Sequence, residues 1–583
     1  LGTPLRHPSR ATADASGASY QLRPTHQPLH AMDAAAVSPV AQIDRAGGWV
    51  EHERARFQHV GQRAWIVLGS GGDLGEGDVA GLLDEARDGG VLGGIAQGLG
   101  GALYERIEYD PEGNPLNANF VDFLVPYATE VPSVENGGLS VDGRTLTFHL
   151  REGIRFQPPL SRELTADDVK YSLERMMRTR RAPAAPLFSA VVGADRFAEG
   201  RADEISGCEV VDERTLRIRL RQPDVSFLNA LAMPCCAVQP REWVERWGGE
   251  LGRHPLGTGP FVLQKWTRGQ EIVLTRNPDY WEAGMPYLDG VSYRVSLDPT
   301  DALLRLERGE VDVLGDGLPA AEIARVTADP QLGGLVRAQP DLAAVYLYMD
   351  VRTGPFRDAK VRRALSWAID RDKLAGLQAG AAVPLWQFYP VGMPGHEEGG
   401  SCYGYDPKRA RRLLTEAGYP DGFRAVLSTD DAGSDRRLWR SVQADLAAVG
   451  VRTRLRGLGE ARDVAPRAKS GTPAAGSLRW RMDFPDPSDC VGPLFSKAGA
   501  VRDGTNPSFW WSRWLERMYA RAQATADPAA RLTMYVEMQD RLARQAPYVT
   551  CLQPVHTTMC SRSTGGFYLH PVYRTDPARY WKK

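Results

Sequence analysis

The sequence predicts an α/β protein of more than one domain, and three observations carry that reading. At 583 residues the chain is too long for a single hydrophobic core. Period-two segments such as Leu146-Thr147-Phe148-His149-Leu150 stand beside helical stripes such as Val169, Leu173, Met176 and Met177. Apolar residues make up 43% and charged residues 25%, an ordinary balance for a globular chain that buries cores.

Taken in order, residues 1–60 are rich in Ala, Pro, Ser, His and Arg without periodicity, and they are expected to be poorly ordered. Arg63–Leu68 reads as a strand, followed by the Gly-rich turn Gly69-Ser70-Gly71-Gly72-Asp73. That turn is no phosphate loop, because no Gly-Lys-Ser/Thr follows it. Leu146–Leu150 is a strand; Thr165 with Asp168 three residues on is a capping-box arrangement opening a helix. Thr215–Leu220 alternates as a second strand and ends before Pro223. Tyr346-Leu347-Tyr348-Met349-Asp350 is an aromatic-rich strand, with Tyr346 and Tyr348 on one face suited to core packing. Asp358 can cap the next helix, whose stripe is Val361, Leu365, Ala368 and Ile369. A further helix starts at Tyr405-Asp406-Pro407 and stops at Ala417-Gly418-Tyr419-Pro420, with Pro in the first turn and Gly past the end. Asp527-Pro528 opens a helix through about Leu542, and the chain returns as a strand at Tyr548–Leu552.

Several function classes fall away. A net charge of −1 gives no reason to expect nucleic acid or an anionic membrane as partner. None of the seven cysteines forms a Cys-x-x-Cys pair, and none of the ten histidines lies at zinc-ligand spacing from them. Cys551 and Cys560, nine apart, are candidates to meet across a hairpin, although sequence assigns no disulfide. No segment approaches ~20 uninterrupted apolar residues, and residues 1–60 show no apolar core of a signal peptide. Gly-x-Ser-x-Gly, His-Glu-x-x-His and P-loop motifs are missing, so an enzyme is not expected. Fourteen Trp and twenty Tyr suit either core packing or a ring-lined ligand cleft.

The run Gly257-Thr258-Gly259-Pro260-Phe261-Val262-Leu263, followed by Asn277-Pro278-Asp279-Tyr280-Trp281 and Pro286-Tyr287-Leu288-Asp289, resembles the extracytoplasmic solute-binding proteins of family 5. These are the dipeptide, oligopeptide and nickel receptors of ABC importers. Arg151-Glu152-Gly153-Ile154-Arg155-Phe156 and Thr165-Ala166-Asp167-Asp168-Val169 fit the same pattern, while Pro158-Pro159-Leu160-Ser161 departs from its Gly turn. Asp350 stands where the family commonly has Asn. The resemblance covers about 133–583 and implies a two-lobed periplasmic-binding-protein clamp. Lobe I would run over 133–349 plus 546–583, with an extra subdomain near 133–210, and lobe II over 350–545. It further implies a periplasmic or cell-surface monomer without cofactor, closing by a hinge on a peptide and docking on importer permease subunits. A nickel or haem-type solute on the same fold stays open.

Residues 92–132 resemble a different family. Gly93-Gly94-Ile95-Ala96-Gln97-Gly98-Leu99-Gly100, Ala102-Leu103-Tyr104-Glu105, Tyr109-Asp110, Asn117, Phe120, Asp122 and Pro126 are similar to a run in the molybdopterin subunit of xanthine and carbon monoxide dehydrogenases. The Gly-Val-Gly-Glu-like turn of those enzymes does not follow. Residues 61–132 are therefore expected to be an atypical or spliced region, and the alternative function is a molybdenum hydroxylase fragment or fusion.

A peptide receptor must pair a cationic N-terminus, because an ammonium buried without a partner is costly. In peptide-binding relatives a Trp-x-x-Asp run does this. The resemblance carries the role to Asp483, with Trp480 as neighbouring wall, in Trp480-Arg481-Met482-Asp483-Phe484-Pro485-Asp486-Pro487. Asp486 and Asp489 are expected to cap. Trp386, Phe388 and Tyr389, ahead of Pro390-Val391-Gly392-Met393-Pro394-Gly395, match a loop that borders the cleft, with inter-lobe packing as their plainer role. The group holding the ligand carboxylate is not assignable among 71 Lys and Arg.

Overall fold

A computed structural model describes residues 63–69, 127–179, 185–400, 403–429, 433–457, 474–501, 504–572 and 574–583. The expectations for residues 1–60 and for most of 61–132 lie outside them. β1 (Arg63–Gly69) falls where the strand was predicted.

The first sheet is small. β2 (Thr145–His149) buries Leu146 and Phe148 at alternate positions, as its period requires. α1 (Ala166–Arg178) starts where the Asp168 carboxylate accepts the Thr165 N–H at 3.0 Å, and it buries Val169, Leu173, Met176 and Met177. β3 (Cys208–Asp212) and β4 (Thr215–Arg219) complete an antiparallel sheet in the order β2-β4-β3. Its core draws on residues from Tyr127 to Leu256.

The second sheet has the order β5-β6-β7-β1-β8. β5 (Phe261–Thr267) issues from the Gly-Thr-Gly-Pro turn and pairs with β6 (Glu271–Arg276), which pairs with β7 (Gly290–Leu297). β1 lies parallel to β7 and to β8 (Val313–Leu314). Gln157 ties the two sheets together: its amide donates to the carbonyls of Gly259 at 3.1 Å and Phe261 at 2.6 Å.

The third sheet carries the other lobe. β9 (Val336–Pro340) leads into β10 (Ala343–Met349), every residue of which is buried. Asp358 accepts the Lys360 N–H at 2.7 Å and caps α2 (Ala359–Ala368), as predicted. β11 (Ala382–Pro384) is short. α3 (Pro407–Glu416) is capped by Asp406, and Gly418 has φ +86°, the left-handed conformation a helix stop requires. β12 (Phe423–Thr429), α4 (Gly433–Ala448), β13 (Val451–Gly457) and β14 (Ala474–Arg481) follow. Three helices cover one face: α5 (Ser488–Phe495), α6 (Arg513–Gln523) and α7 (Pro528–Gln545). β15 (Tyr548–Met559) closes the sheet, whose order is β11-β15-β10-β14-β12-β13 with β9 paired to β15.

β15 is the element that joins the lobes. Its first residues pair with β10, its last with β9, and Cys560 then bridges to Val313 of β8 in the second sheet. β10 and β15 thus pair within the third sheet, and the chain reaches the second sheet at Cys560. This continuous strand also corrects the Cys551–Cys560 expectation. Nine residues of extended chain separate the two by about 30 Å, far beyond disulfide reach. Asp350 is fully buried and receives the Arg352 guanidinium at 2.8 Å. Among the described residues, no helix is long and apolar enough to cross a membrane.

Candidate ligand site at the end of β14

β14 sets the geometry. It runs antiparallel to β10, with Trp480 opposite Ala344 and Leu478 opposite Tyr346, so Trp480 emerges on the face covered by α5 to α7. The chain leaves the strand at Arg481, and Met482 N–H donates to the Leu342 carbonyl at 2.8 Å. Asp483 follows immediately and is half-buried. Arg481 is held at 3.1 Å by Asp341, which also meets Arg574 at 3.4 Å. The end of β14 is therefore fixed to the turn between β9 and β10.

Asp489, one of the two expected caps, does something else. Its Oδ2 accepts the Asp483 backbone N–H at 3.0 Å and the Trp480 indole N–H at 3.3 Å. Burial, and then the charge of Asp483, push its carboxyl well above the usual range; burial also raises Asp483. Asp486 accepts the Ser488 N–H at 2.9 Å without being the N-cap of α5, which is Pro487, and it also binds Arg531 of α7 in a two-pronged ion pair, one prong at 2.8 Å. Burial alone would lower Arg531, yet the Asp486 carboxylate outweighs it and keeps the guanidinium charged. Asp224 lies close by, raised by burial and held by Ser226 and Gln523. The cluster thus holds four carboxyls, three of them raised by burial, around the Asp486–Arg531 ion pair. Among the described residues, no group of three His, Cys, Asp or Glu side chains is placed to hold a metal.

The loop at 386–395 is placed differently. Tyr389 is fully buried, and its hydroxyl donates to the Tyr535 carbonyl at 3.2 Å. Phe388 stacks on Tyr346 with centroids 5.2 Å apart and meets Phe495 edge-on at 4.7 Å. Both rings occupy the interior between β10 and the covering helices. Trp386 is half-buried beneath the Arg371 guanidinium and lines a cavity with Phe388, Tyr403 and Tyr548. That cavity, about 20 Å³, has room for roughly one water and none for a peptide. The structure thus brings Trp480 and Asp483 together around Asp489, and sets Phe388 and Tyr389 behind them in the same core.

Against this geometry the comparisons with known proteins are consistent. The family model for bacterial extracellular solute-binding proteins, family 5, matches residues 133–501. The chain belongs to that family. A dipeptide-binding protein of Escherichia coli is 30% identical, with 80% of this chain and 88% of the relative aligned. A di/tripeptide-binding protein of Pseudomonas aeruginosa is 29% identical over 81% of this chain and 90% of its own. Among solved structures, an oligopeptide-binding protein of clavulanic acid biosynthesis superposes with a TM-score of 0.76 at 24% identity. That superposition covers 89% of this chain and 96% of that one, and it shows the two-lobed fold. A molybdopterin cofactor-binding domain model matches residues 84–132, so the second resemblance also stands, on residues that lie largely outside those described.

Proposed function

We propose that this family 5 receptor captures short peptides between its lobes and transforms nothing. The observation that carries the reading is the Asp483 loop, where a half-buried carboxyl follows Trp480, Asp489 holds both residues, and the neighbouring Arg531 is already bound to Asp486. Asp483 pairs with the peptide α-amino group, Trp480 is the adjoining wall, and backbone groups add the peptide as an extra strand. The 386–395 loop borders the same cleft, with Trp386 at its start and Phe388 and Tyr389 anchoring it from behind. The printed names of the Escherichia coli and Pseudomonas aeruginosa relatives, dipeptide- and di/tripeptide-binding, support this substrate class. Hinge closure buries the ligand, and the closed, extracytoplasmic monomer is presented to the permease subunits of an ABC importer.

Calorimetry with trialanine and N-acetyl-trialanine tests the reading. Loss of one partner of a buried charge pair costs about 3–5 kcal/mol, so Asp483→Asn should weaken trialanine binding a hundredfold or more. Acetylation should damage binding to wild type severely and to the variant far less. Equal binding of both peptides by both proteins would remove Asp483 from the site. The match at 84–132 keeps one alternative, a fused molybdenum hydroxylase segment. Stoichiometric molybdenum in the purified chain would favour it.

A further inference from the structure

The Asp483 loop contains a second carboxylate that a ligand does not have to touch. Asp489 stands in the first turn of α5 and is 2% exposed. Its carboxylate does not serve its own helix. It reaches back across the turn, and a single oxygen takes the backbone N–H of Asp483 and the side-chain N–H of Trp480. These are the two residues proposed above for the amine site, and Asp489 holds one by its main chain and the other by its ring. The distance between acid and aromatic wall is therefore set by Asp489.

The surroundings make the choice of a carboxylate costly unless it has a use. The groups facing it are Asp483 from its own loop, Asp486, Cys490, and Tyr519 of α6, with Arg531 of α7 and Asp224 beyond. Arg531 is the cation among these, and its guanidinium is bound to Asp486. A neutral acceptor would hold the two N–H groups without adding negative charge beside Asp483. A carboxylate also strengthens the field at the point where an ammonium arrives.

We propose that Asp489 is the positioning residue of the ligand-amine site, fixing Trp480 and Asp483 and contributing charge to ammonium binding without contacting the ligand. The inference rests on the reading of Asp483 as the amine partner. A cation favours the ionised form of both carboxyls, so affinity for a free-amine peptide climbs in two steps as pH rises. The lower step belongs to ionisation of the pair's first carboxyl and the upper to its second.

The experiment is calorimetry on the full chain with trialanine and N-acetyl-trialanine, between about pH 4 and pH 7.5. Asp489→Ala should weaken trialanine about ten- to hundredfold, the loss of hydrogen bonds to a charged group, and N-acetyl-trialanine much less. Asp489→Asn keeps an oxygen for both donors and should restore neutral-pH affinity most of the way while abolishing the upper step of the profile. Equal losses for both peptides in Asp489→Ala, or an Asp489→Asn profile that superimposes on wild type, would overturn the proposal. Should Asp489→Ala fail to fold, the Asp489→Asn profile decides alone. Asp483→Asn separates the two ideas. If it abolishes discrimination between the peptides while the Asp489 variants behave as wild type, only the positioning role falls. If it leaves discrimination intact, the amine reading itself falls.

Discussion

The Gln523 side-chain amide at the end of α6 donates to Asp224 Oδ1 at 2.7 Å, joining residues 299 positions apart. The contact is doubled by the same nitrogen on Ser226 Oγ at 2.8 Å, and by the Val225 N–H on the Gln523 carbonyl at 2.9 Å. Asp224 precedes Phe227 in the core of the small sheet, whereas α6 covers the third sheet. This small polar cluster therefore spans the two lobes, and Tyr535 holds it from α7 by donating to Gln523 Oε1 at 3.1 Å.

Gln523→Ala should shift the receptor towards an open state. A hydrogen bond to a charged partner is worth about 1.5–3 kcal/mol, so trialanine affinity should fall roughly ten- to hundredfold. Small-angle scattering should give a larger radius of gyration for the ligand-free variant than for wild type. An unchanged radius and unchanged affinity would leave the cluster as packing with no part in closure.

Phe388 offers a test of wall against core. Its ring is locked between Tyr346 and Phe495, so Phe388→Ala should cost about 3–5 kcal/mol in urea unfolding. Trialanine affinity of the folded fraction should stay within a few-fold of wild type. A stable variant with collapsed affinity would put the ring against the ligand.

Asp576 gives a pH signature with a definite sign. Its buried carboxyl is pushed up to about 7, burial outweighing the pull of Arg579. The folded value lies above the unfolded one, so its stability contribution is complete below about pH 3.9 and is lost as pH rises through 7. Asp576→Asn keeps an oxygen for the Ala578 N–H, which Asp576 accepts at 3.0 Å. The variant should melt higher than wild type at pH 8 and nearly with it at pH 4. Parallel melting curves at both pH values would refute the buried charge.

The parts of the fold readable in the sequence are those settled within a few residues. Asp358, Asp406 and Asp527 announce their helices because a cap bonds only two or three residues ahead. β15 was legible only to Leu552, because Gln553, His556 and Thr557 interrupt the apolar run. They are buried all the same, and Gln553 is satisfied by the carbonyls of Asp341 and Val391, both at 3.0 Å and both distant in sequence. In the Asp483 loop, the Trp480-x-x-Asp483 run was readable as a motif, and the proposed site rests on it. The neighbouring ion pair was not: Arg531 lies 45 residues from Asp486, and no local pattern links them. Asp489 is only six residues from Asp483, but a Pro-rich stretch looks the same whether its acid caps a helix or reaches back.

Histidine should dominate the acid side. His570 is buried, its Nδ1 accepts the Val572 N–H at 3.1 Å, and burial lowers its ring to about 3. His556 is lowered to about 3 as well, by burial and then by Arg574 and Arg481. In both cases the folded value lies below the unfolded one, near 6.5, so the unfolded chain takes up protons first. Stability is therefore complete above pH 6.5 and is lost as pH falls towards 3. His570→Asn places an amide oxygen where Nδ1 stood and removes the titration. Urea midpoints should show wild type losing about 2 kcal/mol more than the variant between pH 6.5 and 4.5. The variant is expected to start below wild type at neutral pH, since Asn fills less of the site, so the slope with pH is the decisive quantity. Identical slopes would mean that His570 is reached by solvent and protons in the folded state.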